Sequence, residues 1–102
     1  DGMYAVNIAR QSGGGACSVE DDEIIAGIKL LAQTEGIFAE AAAGVVIASL
    51  KKLAASGEIK RHEVTVAYVT AAGPRTQEVV ADMVHPYTVQ PNLESFKKVL
   101  GI

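Results

Sequence analysis

The chain has 102 residues and a formal net charge of −3, so it forms one domain or part of one and offers no basic surface for nucleic acid. Its single cysteine excludes an internal disulfide framework and fits a reducing, cytoplasmic compartment. Aromatic residues make up 5% of the chain and tryptophan is absent, so a core must be built mainly from aliphatic side chains.

Helical patterns and short β-prone runs alternate along the first third of the chain. Residues 2–11 predict a short helix, which a glycine-rich turn ends. Ala16–Val19 follows as a short strand candidate, in which Cys17 would be a buried and inert thiol. Residues 21–33 are the best-marked helix, because Ser18 can cap it, acidic residues fill its first turn and apolar residues recur at helical spacing.

The most apolar stretch is Ala41–Leu50, in which every residue is apolar or small. It has no polar face, so we expect a helix that is buried on all sides. It is too short to span a bilayer, which needs about 20 apolar residues, and no membrane partner is expected. Gly44 would let another backbone approach closely. Glu40 lies at the positive end of the helix dipole, and Gly57 is a natural stop.

The second half of the chain begins with a charged surface loop. Val64–Thr70 follows and is the clearest predicted strand, because it is rich in β-branched and aromatic residues. It leads into a turn at Ala71–Pro74, a short helix at 76–84 and an extended run at 87–89. Asn92 then caps a last helix.

This order of helices and strands predicts an α/β fold, a partial parallel sheet flanked by helices. Two strands cannot enclose a helix as apolar as the central one, so the sheet would be part of a larger one. We expect residues 1–102 to form a single unit within that larger fold. The apolar surface left uncovered favours a homo-oligomer.

Few residues stand out as candidates for chemistry. His62 and His85 lie far apart and have no further ligands at metal-binding spacing, so no metal site is expected. Glu40 either compensates the helix dipole, which the sequence alone favours, or contacts a ligand. Thr70 ends the main predicted strand, where ligands of open α/β sheets bind. The turn Thr70–Gly73 is therefore either a ligand contact or an ordinary strand-to-helix turn.

Several motifs resemble those of threonine synthases. Residues 1–5 and 10–14 resemble the family's Asp-Gly-Tyr-Tyr-Ala…Arg-Glu-Ser-Gly-Gly stretch. Residues 34–40 are similar to Thr-Glu-Gly-Ile-Phe-Ala-Glu-Pro-Ala-Gly, with Ala41 in place of the proline. Residues 68–75 are similar to Val-Thr-Gly-x-Gly-Leu-Lys. Here the first glycine, the leucine and the lysine are replaced by Ala71, Pro74 and Arg75. Related pyridoxal-phosphate enzymes, such as threonine dehydratases, share the glutamate-proline motif more than the threonine-glycine one.

The resemblance implies the C-terminal portion of a pyridoxal-phosphate enzyme of fold type II with a three-layer fold. Such an enzyme is a lyase of threonine biosynthesis, and its small-molecule substrate is O-phospho-L-homoserine, which reacts with water to give L-threonine and phosphate. The resemblance implies that the Thr70 hydroxyl meets the pyridine nitrogen of the cofactor and that Glu40 lies near the same side of the ring. Ala71 and Gly73 would supply close backbone contacts, although Ala71 would resist a positive φ.

Other parts of the family's machinery have no counterpart in this chain. The lysine that binds the cofactor and the glycine-rich phosphate loop lie upstream in the family, and no lysine here occupies a matching motif. We therefore expect no catalytic residue, no bound cofactor and no activity from this chain alone. The alternative is a small stand-alone α/β module derived from this family for binding or assembly. A long upstream reading frame carrying the lysine motif would favour the enzyme.

Overall fold

The computed structural model describes residues 2–83 and 85–102. Its α-helices are α1 (Gly2–Gln11), α2 (Asp21–Glu35), α3 (Ala41–Ala55) and α4 (Leu93–Leu100), and two 3₁₀ helices lie at Gly73–Arg75 and Gln77–Met83. The predicted helices at 2–11, at 21–33, from Ala41 onward and after Asn92 are thus confirmed. The helix predicted at 76–84 is largely replaced by 3₁₀ turns, and residues 87–89 have no regular secondary structure. Asp1 of the first motif and Val84 of that predicted helix lie outside the described residues.

Local hydrogen bonds explain where two of the helices begin. The Glu23 carboxylate accepts the Glu20 N–H at 2.8 Å, so the N-cap of α2 is Glu20 rather than the predicted Ser18. The Asn92 side chain accepts the Ser95 N–H at 2.8 Å, which confirms Asn92 as the cap of α4. In both helices a side chain satisfies a backbone donor that the helix itself leaves unpaired.

The predicted α/β fold, a partial parallel sheet flanked by helices, is wrong for this structure. Across residues 2–83 and 85–102 there is no β-strand, and only an antiparallel bridge between Ala39 and Ala72 pairs extended segments. Val64–Thr70 is exposed along its whole length, with Val64 95% and Tyr68 77% exposed. A β-prone sequence forms a strand only where a neighbour supplies ladder hydrogen bonds, and neither this run nor Ala16–Val19 has one here. Cys17 is accordingly exposed rather than buried.

Helices α2 and α3 pack against each other as a hairpin, and glycines line their contact. A Cβ atom placed on Gly44 would lie 2.5 Å from the carbonyl oxygen of Ile24, and one on Gly27 would lie 2.5 Å from the carbonyl oxygen of Gly44. The prediction that Gly44 admits a close backbone is confirmed. Gly27 supplies the matching gap on α2, which the sequence analysis did not identify.

The buried residues lie around this hairpin and beside its connection. They are Ile28, Leu31, Ala39, Ala43, Ala48 and Val80. The prediction that α3 is buried on all sides is wrong, since Ala42 and Val45 are exposed and much of the rest of the helix is half-buried. The reason is that α2 covers only one face of α3. The hairpin is thus the packed part of the chain, and the candidate site lies at the start of α3.

Candidate functional site

The segment that enters α3 lies beside the turn predicted to contact a ligand. The Glu40 N–H donates to the carbonyl oxygen of Ala71 at 3.2 Å, and the Gly73 N–H donates to the carbonyl oxygen of Phe38 at 3.0 Å. These bonds flank the bridge between residues 39 and 72. We call residues 38–41 together with residues 70–76 the junction. All four residues predicted to bind a ligand belong to the junction, and Glu40, Ala71 and Gly73 take part in its backbone hydrogen bonds.

Phe38 and Gly73 are in direct contact at the junction. Gly73 is buried, and a Cβ atom on it would overlap the ring of Phe38. Any larger residue at position 73 would have to displace that ring. The contact explains why glycine suits this position on steric grounds, without any need for a positive φ.

Glu40 is the acidic group of the junction. Its side chain is 14% exposed, and its Oε2 lies 3.6 Å from Nε of Arg75, whose side chain is 76% exposed. The carboxylate also lies at the N-terminus of α3, where the helix dipole favours negative charge, but it makes no capping hydrogen bond. Glu40 is thus a partly buried carboxylate beside a solvated guanidinium.

Thr70 is the first residue of the turn Thr70–Gly73, and it is exposed. None of the described non-glycine residues has a positive φ. Ala71 therefore occupies its position without the strain expected from its replacement of a glycine. Pro74 stands at the start of the first 3₁₀ helix, where its fixed φ suits the turn. Both departures from the family motif are compatible with the backbone seen here.

Two further residues contribute to the junction and were not predicted from the sequence. Phe38 packs on Gly73, and Thr76 accepts the Ala41 N–H on its side-chain oxygen at 2.9 Å. Thr76 lies 35 residues from Ala41 along the chain, so no local pattern reveals the contact. The aromatic residue before the Ala39-Glu40 pair was visible in the sequence, but its partner was not.

Other features of the described chain add little to this site. A hollow of about 510 Å³ beside Phe38 is lined by Gln77, Glu78, Val80, Ala81 and Pro86. Among residues 2–83 and 85–102 no group of three or more His, Cys, Asp or Glu side chains is placed to hold a metal ion. In the same residues no helix has the length and apolar character needed to cross a membrane.

Comparison with known proteins identifies the class of protein. A family model described as pyridoxal-phosphate dependent enzyme matches residues 1–71. That match covers well over half of the chain and extends through Glu40 to Ala71. The chain therefore belongs to the family of pyridoxal-phosphate dependent enzymes.

Threonine synthases are among the relatives of this chain within that family. The enzyme from Halalkalibacterium halodurans is 46% identical over 94 residues, which cover 89% of this chain and 26% of that protein. Those from Bacillus sp. strain ULM1 and Methanosarcina acetivorans are 41% and 36% identical, over 74% and 94% of this chain. The chain spans about a quarter of the length of these relatives. The resemblance to threonine synthases is confirmed.

The junction can be tested against pyridoxal phosphate, the cofactor that this family implies. Gly73 has its N–H bonded to Phe38 and its carbonyl oxygen bonded to the Thr76 N–H, and the Ala71 carbonyl oxygen is bonded to Glu40. These groups hold the turn. Thr70 carries an exposed hydroxyl at the edge of that held turn and can present it to a polar ring atom. The junction thus offers one exposed hydroxyl, that of Thr70, beside a backbone turn whose own polar groups are hydrogen-bonded.

Proposed function

We propose that this chain is the C-terminal part of a threonine-synthase-like enzyme, a lyase that converts O-phospho-L-homoserine and water to L-threonine and phosphate. The proposal includes residues 1–102 as a single unit of that enzyme. Two observations together support it. The chain belongs to the family of pyridoxal-phosphate dependent enzymes, and Glu40 is hydrogen-bonded to the turn Thr70–Gly73 in one junction. A cytoplasmic location belongs to the same proposal, because the free, exposed Cys17 suits a reducing compartment.

Within this proposal the residues of the junction have separate tasks. Pyridoxal phosphate, when bound, supplies the electron sink that amino-acid chemistry needs. Thr70 donates or accepts a hydrogen bond at the pyridine nitrogen, and Ala71 and Gly73 keep that hydroxyl in place through their bonds to residues 38–40. A neutral hydroxyl is a weaker proton source than a carboxylic acid, so it moderates the electron sink. Glu40 contributes negative charge near the same side of the ring, partly neutralised by Arg75.

We further propose that the chain alone does not catalyse the reaction. Its lysines lie on α2, α3 and α4 and in the loop after α3, at Lys29, Lys51, Lys52, Lys60, Lys97 and Lys98. None of them belongs to residues 38–41 or 70–76. A lysine that joins the cofactor covalently must therefore come from the rest of the enzyme.

Cofactor titration tests this proposal. Pyridoxal phosphate is added to the purified chain, absorbance is recorded, and the sample is reduced with borohydride before peptide mapping. We expect weak binding and only scattered, substoichiometric labelling of lysines. The same treatment of the complete enzyme, as a positive control, should label one lysine outside residues 1–102. Stoichiometric labelling of a single lysine in the isolated chain would contradict the proposal.

A further inference from the structure

The first residue of α3 is capped from a distant part of the chain. Ala41 is one of the residues whose N–H has no partner within the helix, and the preceding Glu40 gives no side-chain cap. The partner is the side-chain oxygen of Thr76, which accepts the Ala41 N–H at 2.9 Å in a partly buried setting. A helix that would otherwise begin uncapped is completed by a hydroxyl 35 residues away.

The backbone of Thr76 is fixed on both sides of this contact. Its N–H donates to the Gly73 carbonyl oxygen at 3.0 Å, and its own carbonyl oxygen accepts the Val79 N–H at 3.1 Å. The hydroxyl therefore belongs to a short rigid run that continues into the second 3₁₀ helix. A bond to Ala41 consequently restrains the run from Gly73 to Val79.

We propose that Thr76 is a positioning residue, whose hydroxyl couples the start of α3 to the turn Thr70–Gly73 and so holds the two halves of the candidate site together. The coupling is a property of this chain, and only the identity of the ligand that the turn meets rests on the proposed function.

Other contacts also join the two segments of the junction, but none of them is a hydrogen bond made by a side chain. The bonds from Glu40 and Gly73 join backbone groups and are independent of side-chain identity. The Glu40–Arg75 contact, at 3.6 Å with a highly exposed guanidinium, is a weak link of the kind that contributes little in water. Among these polar links, the bond from the Ala41 N–H to the Thr76 hydroxyl is the side-chain hydrogen bond across the junction, and it is partly buried.

The hydrogen bond can also be removed at its donor, the N–H of Ala41. The family motif has proline at this position, and proline has no N–H to donate. At the first position of a helix proline is well tolerated, because the missing N–H is unpaired within the helix anyway. Ala41→Pro therefore deletes the donor while keeping α3 able to form, and Thr76→Val deletes the acceptor at nearly constant volume.

The test is hydrogen exchange on the complete enzyme that carries this segment, without added cofactor. In Thr76→Val we expect the amides of residues 40, 41 and 73 to exchange about tenfold faster, since a lost hydrogen bond is worth about that factor. Thr76→Ser should restore slow exchange. Thr65→Val, which removes an exposed hydroxyl outside the junction, should leave these amides unchanged. Amides at the packed centre of α2 and α3 report whether each variant stays folded.

Two further comparisons decide the proposal. In the Ala41→Pro background, Thr76→Val should no longer accelerate exchange at Gly73, because its partner is already absent. An equal acceleration in both backgrounds, or no acceleration in Thr76→Val alone, would overturn the coupling.

A second experiment records the absorption spectrum after pyridoxal phosphate is added. A changed spectrum in Thr76→Val but not in Thr76→Ser supports positioning, and an unchanged spectrum with faster exchange overturns it. A wild-type enzyme that binds no pyridoxal phosphate would contradict the proposed function and leave the exchange result standing.

Discussion

Side chains at the junction differ in how firmly they are held. Phe38 packs on Gly73 with part of its ring exposed, and Thr76 is held by backbone bonds on both sides. Glu40 is 14% exposed, whereas its partner Arg75 reaches into solvent. Thr70 is exposed and sits at the edge of the held turn. The arrangement places a free hydroxyl on a restrained backbone, which is what a group needs in order to orient a ligand without moving.

The first prediction concerns that hydroxyl. In the complete enzyme, Thr70→Val should lower turnover while the cofactor stays bound, because the family resemblance implies that the groups that bind the cofactor phosphate lie upstream. The pyridine nitrogen of the bound cofactor would lose its hydrogen-bond partner. A buried polar atom without a partner costs about 1–3 kcal/mol, so we expect turnover to fall about tenfold or more. Steady-state kinetics and the absorption spectrum of the cofactor measure the two effects. Thr65→Val is the matched control, and unchanged turnover in Thr70→Val would make Thr70 a turn residue only.

Among the elements, α2 and α3 form the packed part of the structure, and glycines allow their backbones to approach. The second prediction follows from the lack of space at Gly44. In Gly44→Val the added side chain would meet the Ile24 carbonyl, so the hairpin should lose about 1–3 kcal/mol through overpacking. Thermal unfolding followed by far-UV circular dichroism measures the loss. Gly2→Ala, at a helical glycine with open space around it, should not destabilise the chain.

An ion pair at the other end of the hairpin makes its stability depend on pH. Nζ of Lys52 lies 2.6 Å from Oε2 of Glu23. The side-chain hydrogen bond from Lys52 is the main cause of a lowered pKa at Glu23, and the same bond raises the pKa of Lys52. Lys52 also donates to the carbonyl oxygen of Ser18, so it ties the start of α2 to the end of α3.

The third prediction follows from the direction of these shifts. The pKa of Glu23 is lower in the folded chain than in the unfolded chain. The ionised carboxylate therefore stabilises the fold above the ordinary glutamate pKa of about 4.3, and this stabilisation is lost as pH falls through the folded pKa. The charged Lys52 stabilises the fold below the ordinary lysine pKa of about 10.4, and this stabilisation is lost as pH rises through its raised folded pKa. The melting temperature of wild type should exceed that of Glu23→Gln near neutral pH, and the gap should close in acid. Asp82→Asn, at an exposed residue outside the hairpin, is the control, and a gap that does not vary with pH would contradict the assignment.

Local sequence signals were enough to predict the four α-helices, whereas strand formation and the contacts of the junction depend on residues that are distant along the chain. Acidic first turns, apolar spacing and the Asn92 cap are written within a few residues, so α2 and α4 could be predicted from the sequence. The run Val64–Thr70 has every local feature of a strand, yet strand formation depends on a neighbour that local sequence does not specify. Glu40, Ala71 and Gly73 were singled out by family motifs, and the structure brings them to one junction, while their contact with a ligand stays a prediction. No local pattern and no family motif indicated the bond between Thr76 and Ala41.

At the scale of the whole molecule, the chain is extended. Its radius of gyration is 18.5 Å, and its extents are 62, 31 and 20 Å. A compact unit of about 100 residues has a radius near 13 Å. Apolar side chains are exposed on α1, on Val64–Val69 and on α4, where they include Met3, Tyr4, Ile8, Val66, Leu93, Phe96 and Leu100. A chain that spans about a quarter of its relatives' length thus leaves much of its apolar surface in contact with water.

The last prediction is that the isolated chain self-associates into a homodimer or a larger homo-oligomer. Contiguous apolar patches beyond a few hundred Å² rarely remain exposed on soluble monomers, and two-fold pairing is the commonest way to cover them. Light scattering coupled to size exclusion at micromolar concentration measures the mass. Replacing Leu93 and Phe96 of α4 by serine should weaken association, whereas Glu94→Ser on the same helix should not. A well-folded, strictly monomeric chain would contradict this prediction, because such a chain would have closed its own core. That result would favour a stand-alone binding or assembly module over a segment that depends on the rest of an enzyme.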